Sequence, residues 1–462
     1  MDRLTDSLHG HSQKPITQLM RPVQRFMHEE ASSGIVLFVA AVVALVWANS
    51  PWYDVYHDLL DTHIIVGFGS WAIDETLHHW IDDGLMAVFF FVVGLEIKRA
   101  VVVGELSSVR KAALPIFAAL GGMIVPAVIY LAFNAGGVGA RGWGIPMATD
   151  IAFSLGVLSL LRTRAPLPLK IFLAAFAIID DIGAVIVIAV FYTGDIVWGD
   201  LGIAALFLVA LVVVGRLGIR HPLVYALLGV IVWLLFLESG VHATVAGVLV
   251  AATIPIRVRV DSRGFLDRSR DLLLVFERSG EYGHEDETSS EQRGILQELE
   301  DTAQEMQSPL QRFETALHPW VAFVIMPLFA LSNAGVRIEG DLFGALAHLT
   351  HPVALGIILG LVVGKQVGVT AFSFVAVRLG FAALPYGVTW SQFYGVALLG
   401  GIGFTMSLFI TNLAFTGDLL NTEAKMGILL GSAIAGILGY LILFRAGKGM
   451  TGASSSTAGM GK

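Results

Sequence analysis

The chain has 462 residues, 55% of them hydrophobic and 14% charged, with 51 glycines, no cysteine and a mean hydropathy of +0.75. That charged fraction is far below the roughly one quarter of a water-soluble domain, and the missing cysteines exclude a disulfide framework and thiolate chemistry. The net charge of −8 leaves no basic face for nucleic acid, and the apolar runs are too long and too unalternating for barrel strands, so the composition is that of a helical membrane protein.

In chain order, residues 1–33 form a cytoplasmic N-terminal segment. The run from Gly34 lacks a small-residue cleavage site and reads as a retained anchor. A helix needs about 20 apolar residues to cross about 30 Å of hydrocarbon. Runs of that kind fall near 34–49, 84–104, 112–133, 145–161, 171–192, 200–215, 221–237 and 241–256, which places helices 1–8 in 34–256. The last four, near 319–336, 352–376, 392–414 and 425–445, place helices 9–12 in 318–446. Lys and Arg gather in alternate loops, for example Lys98, Arg99, Arg110 and Lys111, then Arg162, Arg164 and Lys170, then Arg216 and Arg220. The intervening loops hold little beyond Arg141, Arg337 and Lys425. Because cytoplasmic loops carry the cationic excess, both termini are expected in the cytoplasm.

Three regions fall outside the spans. Between Pro51 and Asp82 lie Asp54, Asp58, Asp61, Asp74 and Glu75 without a Lys or Arg, and THIIVGFGSWAI alternates as an external β-hairpin would, which makes 51–82 the hairpin region. Residues 257–317 form an acidic cytoplasmic insertion with fourteen Asp and Glu against eight Arg, a net −6 of the chain's −8. It is expected to be flexible, with one short amphipathic helix around Ile295, Leu299 and Ala303. The tail, 447–462, is low in complexity and expected to be disordered.

Within the fifth span, AIIDDIGAVIVIAV sets Asp180 beside Asp181 about 15 Å from the cytoplasmic end. An ionised Asp at the centre of a spanning helix costs about 2.5–3.5 kcal/mol, so a doublet there needs water, a cation or a partner. Two adjacent carboxylates in a partly desolvated cavity do not readily both ionise, and such a site can exchange a proton for a cation. Hard oxygen ligands with no His or Cys beside them suit an alkali cation better than a transition metal. A helix end facing water would explain the doublet as a cap, but GAVIVIAVFY continues the apolar run.

Two other spans carry interruptions. WGIPMATDIAFSLG places Gly144 and Pro146 before Thr149 and Asp150, and LLGGIGFTMSLFIT places Gly400, Gly401 and Gly403 at mid-span. Both read as broken helices, whose half-helix ends carry partial charge; for the glycines alone, close helix packing explains the pattern as well. Asp150 would neutralise N-terminal ends and Lys365, in GLVVGKQVGV, C-terminal ends, with Lys365 paired to Asp180 or Asp181. A plain, a broken and a charged span at 112–192 answer a charged, a broken and a plain span at 352–445, the pattern of inverted repeats in secondary transporters.

Taken in order, DDGLMAVFFFVVGLEIKR (82–99), PMATDIAFSLG (146–156), AIIDDIGAV (177–185), SGVHATVAGV (239–248), LHPWVAFVIMPLFALSNAG (317–335), GLVVGKQVG (360–368) and LLGGIGFTMSLFI (398–410) resemble the NhaA family of sodium/proton antiporters through nearly all the expected spans. That family is itself an example of inverted repeats, so the architecture is implied by the resemblance and is not separate support for it. The resemblance implies an all-α polytopic membrane protein of twelve transmembrane helices, two of them discontinuous. It implies a transporter without cofactor that exports Na⁺ or Li⁺ against inward protons, electrogenically, from the bacterial inner membrane, and a homodimer joined through the external hairpin. Carried over by position, Asp180, Asp181 and Thr149 form the Na⁺/Li⁺ site, Asp180 and Asp181 couple it to protons with Lys365, and Asp150 with Lys365 compensates charge at the broken helices. Glu96, Lys98, Arg99, Glu314 and His318 match a cytoplasmic pH-sensing cluster. Ala100 and Thr315 stand where the best-known members carry Glu and His, which detaches the pH set-point from the resemblance. A solvated salt bridge accounts for Glu96 and Glu314 as well as sensing does, and packing is the expected role of His242.

Other classes fit less well. A cation channel would favour repeated pore loops and a ring of weak sites. An intramembrane aspartyl protease would place its carboxylates on separate helices in YD and GxGD contexts, neither of which occurs here. Adjacent residues of one helix point about 100° apart, an awkward geometry for one shared water. A scaffold without transport has no use for Asp180, Asp181 and Lys365 at depth.

Overall fold

The computed structural model describes residues 30–68, 71–256, 262–279, 290–338 and 348–447. All but Gly447 of the disordered tail expected at 447–462, and most of the N-terminal segment 1–33, lie outside them. The described residues are predominantly helical, with one two-stranded sheet. Among the described residues, seven helices are long and apolar enough to cross a membrane, or up to ten if each bent pair counts as one span. The chain is therefore a multi-pass membrane protein, but these lengths do not reach the expected twelve. Met86–Val102 has 17 residues, and Ala243–Thr253 has 11, which at about 1.5 Å per residue covers about half the hydrocarbon. Apolar sequence on either side of such a helix is indistinguishable, in composition, from a full span.

The chain divides into two compact units, and the first comprises residues 1–81, 108–187 and 322–462. Helix Val109–Asn134 packs along Pro352–Arg378 so closely that a Cβ on Gly121 would overlap the Gly368 carbonyl. Each belongs to a similar succession, in which a long helix, a broken helix and a second long helix follow one another. The first runs from Val109–Asn134 through Val138–Met147 and Ile151–Leu160 to Leu167–Phe191. The second runs from Pro352–Arg378 through Trp390–Leu399 and Phe404–Ala414 to Asp418–Ala446. Pro352–Arg378 is itself not uniform, since a π-helical stretch at Gly360–Gly364 precedes Lys365. Such insertions widen the local turn and frequently accompany functional groups.

The hairpin pairs His63–Phe68 with Trp71–Thr76 antiparallel, from His63 opposite Thr76 to Phe68 opposite Trp71. Its strands rest on few buried contacts, held at the open end by the Leu77 amide donating to the Thr62 carbonyl and by Trp80 donating to the Ile64 carbonyl. The alternation of THIIVGFGSWAI was legible, whereas helix Tyr53–Leu60 before it, anchored by the Tyr56 hydroxyl donating to the Leu331 carbonyl at 2.7 Å, was not.

The second unit comprises residues 82–107 and 188–321. In it, Met86–Val102 packs on Ala243–Thr253, with Gly247 directly against the Ala87 carbonyl. Trp198–Arg216 and Pro222–Ser239 form an antiparallel pair with largely exposed apolar sides, as lipid-facing helices have. The acidic segment departs from expectation. Ser290–Glu305 is the amphipathic helix foreseen around Ile295, but Ser262–Ser279 is helical as well where a flexible chain is expected. The two pack together, with Leu272 and Ile295 buried and Arg268 bonded to Glu298 at 3.2 Å. Charges on both sides of DLLLVF dilute its apolar face in any composition average. Helix Pro309–Trp320 then starts at a Ser308–Gln311 capping box, ten residues before the expected span at 319.

Candidate functional site

Both broken helices are bent, by 43° and 44°, and their breaks lie side by side. Backbone exposed inside a membrane protein must find partners, and here each break supplies the other's. The Asp150 amide donates to the Ile402 carbonyl at 2.7 Å, the Thr149 hydroxyl to the Gly400 carbonyl at 2.8 Å and the Ser154 hydroxyl to the Leu399 carbonyl at 2.8 Å. Ser407 returns a bond to the Ile145 carbonyl at 2.7 Å. The glycines serve both readings left open by the sequence, since a Cβ at Gly401 would overlap the Leu361 carbonyl while the chain unwinds at 400–403.

Asp150, 1% exposed, holds the crossing together electrostatically. It is the N-cap of Ile151–Leu160, accepting from the Phe153 amide at 2.9 Å. Its other oxygen accepts from the amide and hydroxyl of Thr405 at 3.1 and 2.5 Å, at the start of Phe404–Ala414. One carboxylate thus meets two helix N-termini, each worth about +0.5 charge. The opposite polarity is met by Lys365, wholly buried, whose ammonium donates to the Met147 carbonyl at the end of Val138–Met147. Thr405 was missed from the sequence, although its place just after the glycine-rich break mirrors that of Thr149–Asp150 beside Pro146.

Asp180 and Asp181 sit in the middle of the continuous helix Leu167–Phe191, each 1% exposed. Lys365 donates to Asp180 Oδ2 at 2.7 Å, so of the two carboxylates offered by the sequence it bonds to Asp180. Asp181 lies within Coulombic reach of the same ammonium. The Phe176 ring, centred 5.6 Å from the ammonium, closes another side. Thr149 adjoins Asp180, and because its hydroxyl proton is committed to Gly400, its lone pairs are what it can offer a cation. The structure thus gathers Thr149, Asp150, Asp180 and Lys365 around one crossing, with Asp181 on the next residue.

The residues matched to a pH-sensing cluster lie in the second unit. Arg99 bonds Glu314 at 2.6 Å, and Glu96 is electrostatically coupled to both. Lys98 is turned elsewhere, donating to the Ala252 and Ile254 carbonyls at 2.7 and 2.5 Å and so capping Ala243–Thr253. His318 is exposed one turn beyond Glu314. His242 stands 3.8 Å from Asp83.

A family model described as Na+/H+ antiporter 1 matches residues 24–443. The chain belongs to this family of antiporters. Among its relatives, Na(+)/H(+) antiporter NhaA 2 of Syntrophotalea carbinolica is 48% identical over 93% of this chain and 98% of its own. NhaA of Koribacter versatilis is 49% identical over 93% of both chains, and NhaA 1 of Saccharophagus degradans 46% over 94% of both. As a member of the NhaA family the chain is a transporter and not an enzyme, and what the family carries, Na⁺ and H⁺, is substrate and not cofactor. The resemblance read from the sequence motifs is therefore borne out at the level of the family.

Proposed function

We propose that this antiporter exchanges Na⁺ or Li⁺ for protons at Asp180 and Asp181, with Thr149 as a further oxygen ligand and Lys365 as the internal cation that substitutes when the metal leaves. The observation that carries the proposal is a buried carboxylate doublet, with Lys365 bonded to Asp180, set against two helix breaks. Protonation or cation binding can each neutralise the doublet, so the two compete. Asp150 and Lys365 keep the half-helix ends neutral, which lets the crossing persist while access alternates between the two sides. An oxygen-only ligand set favours alkali ions. In this reading the exchange is electrogenic and exports sodium from the cytoplasm across the bacterial inner membrane, both termini are cytoplasmic, and the lipid-embedded protein is a homodimer through the hairpin at 63–76. Glu96, Lys98, Arg99, Glu314 and His318 adjust its response to cytoplasmic pH.

Inside-out vesicles carrying a pH-sensitive dye test the assignment. Na⁺ and Li⁺ should dissipate the proton gradient in the wild type and not in Asp181→Asn. Retained exchange in that variant would remove Asp181 from the site, and a current independent of the proton gradient would favour a channel instead.

A further inference from the structure

A second ionisable cluster lies in the first unit, away from the acidic doublet. Glu423 is 4% exposed on Asp418–Ala446, and two histidines flank it, His351 Nδ1 at 2.5 Å from Oε2 and His348 Nδ1 at 3.9 Å from Oε1. Both imidazoles are close enough to act on the Glu423 charge. The segments that pack most extensively against its helix, 352–359, 360–364, 390–399, 404–414 and 151–160, contain no Asp, Glu, Lys, Arg or His, and Tyr394 is their one titratable side chain. Arg164 stacks on Phe444, about six turns further along the helix from Glu423. Asp418, Lys425 and Arg445 are on Glu423's own helix, and Arg141 is exposed on 138–147.

A carboxylate this deeply buried requires a compensating charge or a proton of its own. With imidazoles as its partners among the described residues, either His351 or His348 must be an imidazolium or Glu423 must be protonated. In each case the cluster holds one proton more than neutral histidines beside a carboxylate would. His351 Nδ1 faces a second demand, because it is also the N-cap of the helix that carries Lys365 and accepts from the Val353 amide at 3.4 Å. An Nδ1 that carries a proton cannot accept from Val353, and it stands 2.5 Å from Glu423 Oε2, a buried oxygen without an aligned hydrogen bond among the described residues. Loss of the proton favours the cap and frees the carboxylate. A buried carboxylate flanked by imidazoles is a site suited to a proton.

The cluster is also connected mechanically to the crossing. Gly427, one turn beyond Glu423, lies against the Ala354 backbone, and Gly431 lies against Leu361, whose carbonyl touches Gly401 in the second break. Lys365 follows on the same helix, about 20 Å from His351 at about 1.5 Å per residue.

We propose that Glu423, His348 and His351 form a second proton-binding site of this antiporter, whose occupancy sets how Asp418–Ala446 seats on the helix carrying Lys365. The site stands on its own geometry, and only its consequence for transport rests on the exchange proposed above. The test uses full-length protein in proteoliposomes and pH-induced infrared difference spectra, which read carboxyl and imidazole protonation. Two variants, Glu423→Gln and His351→Asn, should each remove the same pair of carboxyl and imidazole bands. Asn is a good helix cap, so His351→Asn keeps the Val353 contact and the test survives if Glu423→Gln does not fold. His351→Asn should also move the midpoint of the exchange pH profile by about half a unit or more while leaving the maximal rate in place. Asp181→Asn should abolish Na⁺-linked proton release and retain these bands. Spectra of both cluster variants that superimpose on the wild type would overturn the proposal, as would loss of the bands in Asp181→Asn. Exchange lost in Asp181→Asn with the bands intact supports both sites, and exchange retained there with the bands intact removes the doublet assignment alone.

Discussion

Replacing Lys365 with Ala removes the ammonium from a pair in which both side chains are wholly buried. At 2.7 Å and an effective dielectric of about 20, the Coulomb attraction is about 6 kcal/mol. Much of it only offsets desolvation, and removing one partner of such a pair typically costs about 3–5 kcal/mol because the other is left buried and uncompensated. The Met147 carbonyl loses its donor as well, worth about 1–3 kcal/mol. Lys365→Ala should therefore destabilise by about 4–8 kcal/mol, and Asp180→Asn, which strands the lysine, by about 3–5 kcal/mol. Adding Asp180→Asn to Lys365→Ala neutralises what the first change exposed. The double variant should then lose less than the sum of the two single losses, by about 1–3 kcal/mol. Reversible unfolding in mixed detergent and dodecyl sulfate, followed by far-ultraviolet circular dichroism, measures all four corners of the cycle. Losses that add to within about 0.5 kcal/mol would mean that no ion pair couples these residues, and the account of the crossing would fail.

Asp150→Ala strips the cap from one half-helix and both acceptor contacts from Thr405; about 3–5 kcal/mol of stability should go with them, whereas Thr405→Val, which keeps the amide contact, should cost about 1–2 kcal/mol. Chemical denaturation distinguishes the two, and equal losses would contradict the shared-cap arrangement. Gly121→Ala should destabilise by about 1–3 kcal/mol or more, since its Cβ has no room against the Gly368 carbonyl; an unchanged unfolding midpoint would show that the two helices part easily. Na⁺ binding to purified protein should release protons and tighten as pH rises, because protonated carboxylates exclude the cation, and should level off once both are deprotonated. Calorimetry in buffers of different ionisation heat counts the protons, and Na⁺ binding without proton release at any pH would end the competition mechanism.

How far the sequence reached varies with the range of the forces involved. A helix in lipid satisfies its own backbone, so apolar length alone disclosed most of the spans, and strand alternation disclosed the hairpin. The expense of a charge in hydrocarbon singled out Asp150, Asp180, Asp181 and Lys365 without any knowledge of their neighbours. Partners were another matter. That Lys365 bonds Asp180, that Asp150 joins two half-helices through Thr405, and that Glu423 meets His348 and His351 are contacts between positions 72–255 residues apart. Composition likewise hid the helix at 262–279 and its pairing with 290–305, since their apolar contacts exist only once both strips face each other. The chain by itself thus fixed which groups could not remain alone in a bilayer, because solvation free energy belongs to each residue. Tertiary packing decided which groups answer them, because hydrogen bonds and ion pairs act over a few ångströms and depend on how distant helices are brought together.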